Sequence, residues 1–306
     1  MTEWTTHDMP SQRGRSAVVT GVGGLGFETA LALARAGADV VLAGRDGRKG
    51  AAAVSAIGQA VPGAHVRFGH LDLASLASVA AFAARLTREQ DSLDLLINNA
   101  GVMTPPTRRE TADGFELQFG TNYLGHFALT AHLLPLLRKG RVPRVVTLGS
   151  VAARNGVIAF DDLQAERGYK PMAAYSQSKL ACILFAFELS RRSRTAGWGV
   201  RSLAAHPGIS RTDLLPNGAG PWSSVGLVRR VAWFLFQPAA QGALPTLFAA
   251  TDPAARDGAY YGPNRWGETR GHPTEARSPR QAREDATARR LWDLSEQLAK
   301  VTFARS

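Results

Sequence analysis

The chain has 306 residues, 45% of them hydrophobic, and a formal net charge of +11 at pH 7. This composition can bury a large core, and no run approaches the ~18 apolar residues of a membrane span, so we expect a globular protein without a transmembrane segment. Only five residues are lysines and the arginines are scattered, without a long basic block or an aromatic-rich RNA motif, which argues against nucleic acid as a partner.

The first third of the chain alternates apolar runs with helical segments. Strands are predicted at 16–20, 39–43, 65–69 and 93–97. The first strand runs into the glycine turn Gly21-Val-Gly-Gly-Leu-Gly26, and a helix is expected from Phe27 to Ala36. Glycines let the backbone approach a pyrophosphate closely, and the N-terminus of the next helix favours its negative charge. This order of strand, glycine turn and helix predicts a dinucleotide-binding half in an α/β protein.

A fourth helix is predicted from about Gly114 to Lys139, with Asn122 inside it. Asparagine is a poor residue for a helix interior, because its side chain competes for backbone hydrogen bonds. Asn122 is therefore either a polar residue that faces solvent or a residue with a functional role.

Three polar residues after this helix form a candidate proton-handling site. Ser150 ends the apolar run that starts at Arg144, and Tyr175 and Lys179 are four residues apart in Tyr-Ser-Gln-Ser-Lys. Residues i and i+4 share one face of a helix, so the Lys179 ammonium can lie beside the Tyr175 phenol and make it a better general acid. A serine hydroxyl at a strand end can hold a carbonyl oxygen while the phenol gives or takes a proton. Most Tyr-x-x-x-Lys pairs lie on solvated helix surfaces, so this interpretation depends on the nucleotide-binding half.

The helix predicted from Tyr175 to Arg192 is apolar nearly all round. A helix without a wet face is buried on both sides. One side is expected to pack on the sheet. The other either meets a second copy in a homodimer or homotetramer, or is covered by Phe160 and the C-terminal residues of the same chain. Cys182, the only cysteine, is interpreted as buried packing in this helix and excludes an internal disulfide; with a polar N-terminus it favours a cytoplasmic protein.

The C-terminal third begins with a flexible segment that leads into the apolar stretch 222–236. A helix is predicted at 237–250, a last strand at 258–262 and a helix at 291–301, and residues 264–286 are expected to form an extended polar surface segment. We expect one domain over residues 1–306, with an N-terminal arm at 1–13 and a C-terminal extension at 264–306.

Seven motifs, in their order and spacing, resemble the short-chain dehydrogenase/reductase family over roughly residues 14–265. They are the glycine turn after Thr20, Asp72-Leu73, Asn98-Asn-Ala-Gly101, Asn122, Ser150, Tyr175-x-x-x-Lys179 and Pro207-Gly208 with Thr212. The run that ends in Arg45, and the long Ser-to-Tyr interval containing Phe160-Asp-Asp-Leu-Gln164, are similar to the retinol-dehydrogenase-like and protochlorophyllide-reductase-like branch. The resemblance implies a doubly wound, Rossmann-type three-layer αβα sandwich with a mainly parallel seven-stranded sheet and a helical substrate lid. The preference for arginine over lysine favours a bacterial source.

By this resemblance Tyr175 is the general acid/base, Lys179 makes its phenol more acidic and binds the nicotinamide ribose, and Ser150 holds the substrate oxygen. Asn122 lies at a helix kink and supports the proton relay from the lysine to solvent through a water. No metal is implied. The expected cofactor contacts are Gly21, Gly24, Leu25, Gly26, Arg45, Asp72, Leu73, Asn99, Ala100, Gly101, Tyr175, Lys179, Pro207, Gly208, Ile209 and Thr212. His206 resembles a general base, but a structural role at the strand end is the preferred interpretation.

The end of the second strand indicates which nicotinamide cofactor binds. NAD-preferring relatives carry an acid there, whereas this chain has Gly44 followed by Arg45, with Arg48 and Lys49 close by. A guanidinium pairs with a 2′-phosphate and an acid would repel it, so we expect NADP(H) in preference to NAD(H). Asp46 is interpreted as the N-cap of the next helix.

The glycine turn departs from the family pattern Thr-Gly-x-x-x-Gly-x-Gly, because one residue is missing between the first and second glycines. Val22 and Gly23 offer no polar side chain to the adenosine phosphate. Either the turn is tighter and still binds the cofactor, or cofactor affinity is weakened, or the chain has lost activity.

The segment 213–237 occupies the position of the family's substrate lid, with Trp222, Trp233 and Phe236 as candidate substrate contacts. An apolar lid that excludes water selects bulky apolar substrates. Packing of an ordinary surface helix and attachment to a membrane interface are the alternatives.

The leading hypothesis is an NADP(H)-dependent oxidoreductase that interconverts an alcohol with a ketone or aldehyde on a bulky hydrophobic substrate. The alternatives are reduction of an activated C=C bond and, in a different class, a non-catalytic NADP(H)-binding regulatory protein. The intact set Asn122, Ser150, Tyr175 and Lys179 favours an enzyme, and the shortened glycine turn is the feature that favours a regulator.

Overall fold

Short apolar runs separated by helices form the sheet that the sequence predicts. The computed structural model describes residues 3–210 and 237–303. Its strands are β1 (Ser16–Thr20), β2 (Asp39–Gly44), β3 (Val66–His70), β4 (Leu95–Asn98), β5 (Arg144–Leu148), β6 (Arg201–Ala205), β7 (Tyr260–Arg265) and β8 (Arg270–Glu275). The α-helices within those residues are α1 (Gly24–Arg35), α2 (Gly47–Ala60), α3 (Leu76–Glu89), α4 (Gly125–Leu137), α5 (Pro171–Thr195), α6 (Ala239–Thr251) and α7 (Asp285–Ala299).

The strands form one sheet in the order β3-β2-β1-β4-β5-β6-β7-β8. All neighbouring pairs are parallel except β7 and β8, which are antiparallel. The chain leaves β1 toward β2 and returns across it to β4, so the strand order reverses between β1 and β4. In open α/β sheets this reversal opens a crevice at the carboxyl ends of the strands, where ligands bind.

The sheet has eight strands and not the seven expected, because β8 lies within the segment that was predicted to be extended polar surface. This edge strand has no buried residue and pairs Pro273 with Pro263, so it lacks the apolar alternation that marks a strand in a sequence. The preceding strand also runs further than predicted, to Arg265.

Helices cover both faces of the sheet, which gives the three expected layers. One core cluster joins the sheet to residues of α1, α2 and α6. A second, larger cluster joins the other face to α3, α4, α5 and α7. None of the helices in the described residues is both long enough and apolar enough to cross a membrane.

The helix expected from Gly114 begins later and is not regular. Gly114 lies in a turn with φ +83°, and an isolated antiparallel bridge between Glu110 and Glu116 encloses this turn. Residues Phe119–Leu124 then form a turn of π-helix before α4 continues. Asn122 lies inside this π-helical turn, which agrees with the kink that the family resemblance implies.

The outer face of α5 is covered by the same chain. Trp292 of α7 packs with ring centroids 5.0 Å from Phe127 and 5.7 Å from Phe185, and Phe303 closes the cluster at 4.4 Å from Trp292. The Tyr123 hydroxyl of the π-helix also bonds the Ser295 hydroxyl of α7 at 2.6 Å. An intramolecular cover therefore accounts for the second apolar face of α5.

We expect Trp292→Ala to lower the free energy of unfolding by about 3–5 kcal/mol, because it removes a buried aromatic side chain and leaves a cavity between three helices. Urea denaturation followed by circular dichroism measures this. The matched control is Trp266→Ala, where the side chain is 67% exposed and the change should stay within about 0.5 kcal/mol. Equal effects of the two substitutions would contradict a core role for α7.

Candidate active site

The shortened glycine turn is tight, and the helix that follows it, α1, begins earlier in the chain than predicted. Gly21 has φ +93° and donates its N–H to the Ala43 carbonyl at 2.7 Å. A Cβ on Gly26 would overlap the Gly21 carbonyl oxygen, so only glycine fits there. The helix begins at Gly24, three residues before the predicted start, and no side chain caps its first turn. The Gly26 N–H already donates to the Gly23 carbonyl at 3.1 Å, so the N–H groups of Gly24 and Leu25 are the ones at this helix end that can bind a phosphate.

The Thr20 side chain links this turn to the loop after β4. Its hydroxyl accepts the backbone N–H groups of Asn99 at 2.9 Å and Ala100 at 3.0 Å. The side-chain nitrogen of Asn99, Nδ2, in turn donates to the Thr20 backbone carbonyl at 2.7 Å. The ends of β1 and β4 are therefore held together at the crevice where the strand order reverses.

His126 extends this link to Asn122, and sequence reasoning missed it. Its Nδ1 lies 2.9 Å from the Asn122 carbonyl, and its Nε2 lies 2.8 Å from the Thr20 hydroxyl. A carbonyl only accepts, so Nδ1 carries the proton and Nε2 accepts from the threonine hydroxyl. Burial lowers the pKa of His126 to about 4, so the ring is neutral at physiological pH. A lone histidine in an apolar helix, four residues after Asn122, was the available signal.

Asn122 is buried, so the interpretation that it faces solvent is wrong. Its Oδ1 accepts the Val102 N–H at 2.7 Å, and its Nδ2 donates to the Val102 carbonyl at 2.9 Å. The same Nδ2 lies 2.9 Å from the Ser178 hydroxyl on α5. Its main-chain carbonyl accepts from His126 and from the Cys182 thiol at 3.2 Å. Asn122 therefore fixes α5 against the loop that follows β4.

Ser150, Tyr175 and Lys179 lie where α5 crosses the end of β5. Lys179 is buried and donates from Nζ to the Leu148 carbonyl, the last of β5, at 3.0 Å. Tyr175 is 6% exposed one helical turn earlier. Ser150 caps the 3₁₀ turn Val151–Asn155 by accepting the Ala152 N–H at 3.2 Å, which leaves its own hydroxyl proton free to donate.

The loop after β4 completes this region. A Cβ on Gly101 would lie 3.0 Å from Asn122 Oδ1 and 3.6 Å from Lys179 Nζ, so the glycine admits the close approach of both side chains. The structure thus brings the four predicted residues Asn122, Ser150, Tyr175 and Lys179 to the carboxyl edge of β4 and β5.

The residues predicted to contact the adenosine half lie at the ends of β2 and β3. Arg45, Arg48 and Lys49 are exposed after β2. Asp46 accepts the N–H groups of Arg48 and Lys49, each at 3.0 Å, which confirms its N-cap role. These two bonds, of which the one from the Lys49 N–H has the larger effect, lower the pKa of the Asp46 carboxyl. The carboxylate is therefore ionised, and its hydrogen bonds are made to the first turn of α2. Asp72 is half-buried and uses one oxygen to accept the Ala74 N–H at 3.0 Å.

The strand end after β6 carries the residues predicted to face the nicotinamide. Gly208 has φ +64°, and a Cβ there would overlap the Thr269 carbonyl oxygen. The Gln237 side chain also holds this loop, because it donates to the Pro207 carbonyl at 2.6 Å. Thr212, Trp222, Trp233 and Phe236 lie outside the described residues.

Known proteins share this sequence and architecture. A family profile described as short chain dehydrogenase matches residues 15–219. Retinol dehydrogenase 13 of Homo sapiens is 42% identical over 291 residues, which cover 93% of this chain and 84% of that protein. Polyprenol dehydrogenase of Mus musculus is 44% identical over 250 residues, which cover 80% of this chain and 74% of that protein. The chain belongs to the short-chain dehydrogenase family.

A crystal structure of an uncharacterised Mycobacterium paratuberculosis protein is similar to this short-chain dehydrogenase, with a TM-score of 0.82. It is 41% identical and covers 99% of this chain and 100% of its own. As a short-chain dehydrogenase of the retinol-dehydrogenase-like branch, the protein is an oxidoreductase that acts on CH–OH groups with a nicotinamide cofactor.

The site of this short-chain dehydrogenase fits such a cofactor at both ends. The uncapped first turn of α1 offers backbone N–H groups to a pyrophosphate. Lys179 has three N–H bonds, and among the described residues its hydrogen-bond partner is the Leu148 carbonyl, so a ribose hydroxyl can accept a second bond. Neither feature needs the residue that is missing from the glycine turn.

We expect stability to fall between pH 7 and pH 5 in part because His126 is buried neutral. Its pKa is about 4 when folded and 6.5 when exposed, so the unfolded chain binds the proton first as the pH falls. The linked loss at pH 5 is about 2 kcal/mol. Urea unfolding at both pH values should show less pH dependence in His126→Gln than in the wild type.

The control for this test is His132→Gln on the same helix. The His132 side chain is exposed and only partial burial lowers its pKa, so this variant should lose a smaller part of the wild-type pH dependence than His126→Gln. If His126→Gln loses stability with pH as steeply as the wild type, the histidine is not buried neutral.

Proposed function

We propose that the protein interconverts an alcohol and a carbonyl on a bulky hydrophobic substrate, with NADP(H) as cofactor. The observation that carries this proposal is the convergence of Asn122, Ser150, Tyr175 and Lys179 at one edge of the sheet. A set of donors without a stronger nucleophile suits proton transfer and polarisation of an oxygen, which are the steps that hydride transfer needs from a protein.

Each side chain takes one task in carbonyl reduction, and the reverse in oxidation. NADP(H), when bound, supplies or accepts the hydride. The Ser150 hydroxyl donates a hydrogen bond to the carbonyl oxygen and so stabilises the negative charge that develops there. The Tyr175 hydroxyl gives its proton to that oxygen. The Lys179 ammonium stabilises the phenolate that remains, because opposite charges attract strongly in a buried site.

Asn122 supports this proton relay by position. Its side chain binds both Val102 and Ser178, and Ser178 in turn donates to the Tyr175 carbonyl at 2.8 Å. Through these bonds Asn122 helps to fix the position of α5 relative to the sheet, and therefore the positions of the Tyr175 phenol and the Lys179 ammonium.

The charge at the end of β2 supports NADP(H) in preference to NAD(H). Gly44 stands at the position where NAD-preferring relatives carry an acidic residue. Val22 of the glycine turn packs against it, since a Cβ on Gly44 would lie 2.8 Å from Val22 Cγ1. The carboxylate two residues after Gly44, Asp46, is committed to capping α2. Arg45 and Arg48 remain exposed beside it as partners for a 2′-phosphate.

The substrate class is proposed from the relatives and from the sequence of the lid. Two relatives are named for alcohols with long apolar chains, retinol and polyprenol. Residues 213–237 carry Trp222, Trp233 and Phe236, which stay predictions as substrate contacts because they lie outside the described residues.

A single functional unit over residues 1–306 is part of the proposal. The arm before residue 14 packs on the body, since Trp4 donates to Asp252 at 2.8 Å and its ring meets Phe248 edge-on at 5.5 Å. The C-terminal helix α7 covers α5, which carries the proposed acid and lysine. Both ends of the described chain thus support the same core.

We expect Tyr175→Phe to lower kcat by about 10²–10⁴-fold, because the proton donor is lost while ring packing is kept. NADPH binding, measured by fluorescence titration, should stay close to wild type. Tyr261→Phe is the matched control: it removes a buried hydroxyl on β7 that accepts the Arg256 N–H, and it should leave turnover intact. Retention of more than about a tenth of the activity in Tyr175→Phe would exclude it as the acid.

Arg45→Ala should raise the dissociation constant of NADPH by about 10- to 100-fold, because a charge-assisted hydrogen bond contributes about 1.5–3 kcal/mol. NADH affinity should hardly change, since NADH has no 2′-phosphate. Arg67→Ala, which removes an equal surface charge paired with Glu89, is the control and should affect neither cofactor. An equal loss for NADPH and NADH would show that Arg45 does not read the phosphate.

A further inference from the structure

The turn between β7 and β8, residues 266–269, supports the loop proposed to face the nicotinamide. Ile209 donates its N–H to the Thr269 carbonyl at 2.8 Å, and Gly208 lies against the same carbonyl. The turn itself is bent, with Trp266 and Glu268 both at positive φ. A segment that the sequence assigns to extended surface therefore forms the support of the Pro207–Ile209 loop.

The Glu268 carboxylate is the junction of this contact. Its side chain is 13% exposed and accepts hydrogen bonds from three separate elements. They are His206 Nε2 at 3.2 Å, Arg154 Nη2 at 2.5 Å and the Arg277 backbone N–H at 3.1 Å. A carboxylate with this many donors is fixed in place far better than one partner of an exposed ion pair.

His206 acts as a rigid spacer between Glu268 and the loop. Gly208 donates its N–H to His206 Nδ1 at 3.2 Å, so Nδ1 is an acceptor and the ring proton lies on Nε2, facing the carboxylate. The ring is fully buried, and a Cβ on Gly262 would overlap it. Burial lowers the pKa of His206, so it stays neutral. The structural interpretation of His206 thus fits these contacts better than a general base does.

Arg154 connects Glu268 to the other side of the site. It lies in the 3₁₀ turn Val151–Asn155 that Ser150 caps, and its second nitrogen, Nη1, donates to the Gly267 carbonyl at 3.2 Å. One carboxylate therefore spans two elements that follow neighbouring parallel strands: the Ser150 turn after β5 and the Pro207–Ile209 loop after β6.

We propose that Glu268 is a positioning residue that fixes the separation of Ser150 from the Pro207–Ile209 loop, and so of the substrate oxygen from the nicotinamide. This inference rests on the proposed function for the roles of Ser150 and the loop. Glu268→Gln keeps the shape but removes the charge that pairs with Arg154, and whichever way the amide turns, its N–H₂ group replaces an oxygen that now accepts from at least one of the three donors. Hydride transfer depends steeply on distance, and a displacement of about 1 Å can lower a rate by about 10²-fold.

The test compares Glu268→Gln with Glu275→Gln in the full chain. Glu275 is a carboxylate on the same hairpin whose ion pair with Arg256 is exposed at the surface. Glu268→Gln should lower kcat by about 10- to 100-fold, and Glu275→Gln by less than about two-fold. Glu268→Asp, which keeps the charge, should recover part of the loss, which a purely steric role would not show.

A second readout does not depend on turnover. Glu268→Gln should raise the dissociation constant of NADPH relative to that of 2′-phospho-ADP-ribose, which lacks the nicotinamide, whereas Glu275→Gln should leave that ratio unchanged. Should Glu268→Gln fail to fold, Arg154→Met removes only the arm to the Ser150 turn. It should still lower kcat about ten-fold with a melting temperature close to wild type.

The outcomes separate the two proposals. A wild type without turnover, together with a shifted affinity ratio in Glu268→Gln, would overturn the reaction but keep the positioning role. Normal wild-type turnover, together with kcat and affinity ratios in Glu268→Gln and Arg154→Met that match Glu275→Gln, would overturn the positioning role and keep the reaction.

Discussion

The buried hydrogen bond from the Lys179 ammonium to the Leu148 carbonyl is the contact on which the site depends. Removing an ammonium from water is unfavourable unless its hydrogens find acceptors. The last carbonyl of β5 provides one, which ties α5 to the carboxyl edge of the sheet. Because Tyr175 lies one turn earlier on α5 and Ser150 lies two residues after Leu148, this one bond helps to fix the three side chains of the proposed catalytic set on α5 and after β5 relative to one another.

Polar contacts below the sheet edge hold the remaining elements against this bond. Thr20, His126 and Asn122 form a continuous chain from the glycine turn, through the π-helical turn, to Ser178 on α5. Each donor in that chain meets an acceptor, so the network is rigid and not a source of unsatisfied buried groups. The predicted cofactor contacts and the proposed proton-transfer groups are thus joined by one chain of hydrogen bonds.

The sequence predicts most of this architecture because the signals are local. The Asp46 cap and the Tyr175–Lys179 pair involve residues at most four positions apart, and the strand–glycine–helix order lies within the continuous segment 16–36; the structure agrees with their placement. At Asn122 the local pattern indicates only that an asparagine is unfavourable inside an apolar helix; the kink itself is what the family resemblance implies.

The contacts that the sequence does not reveal are long-range or polar. His126 meets Thr20 across 106 residues, and Arg154 meets Glu268 across 114, so no local pattern marks either pair. β8 is hidden for a different reason: the edge strand Arg270–Glu275 contains Pro273 and has no buried residue, so it shows no apolar alternation. Its polar residues are typical of a surface segment, yet the turn before it, residues 266–269, supports the Pro207–Ile209 loop that is proposed to face the nicotinamide.

The central claim is that hydride passes directly between the cofactor and the carbon that bears the substrate oxygen. Its most direct test uses NADPH deuterated at one C4 position, an apolar aldehyde such as retinal, and mass spectrometry of the alcohol formed. The account predicts deuterium on the former carbonyl carbon from one of the two C4 epimers and not from the other. An alcohol without deuterium from either epimer, or no alcohol from any apolar carbonyl in a panel, would contradict it.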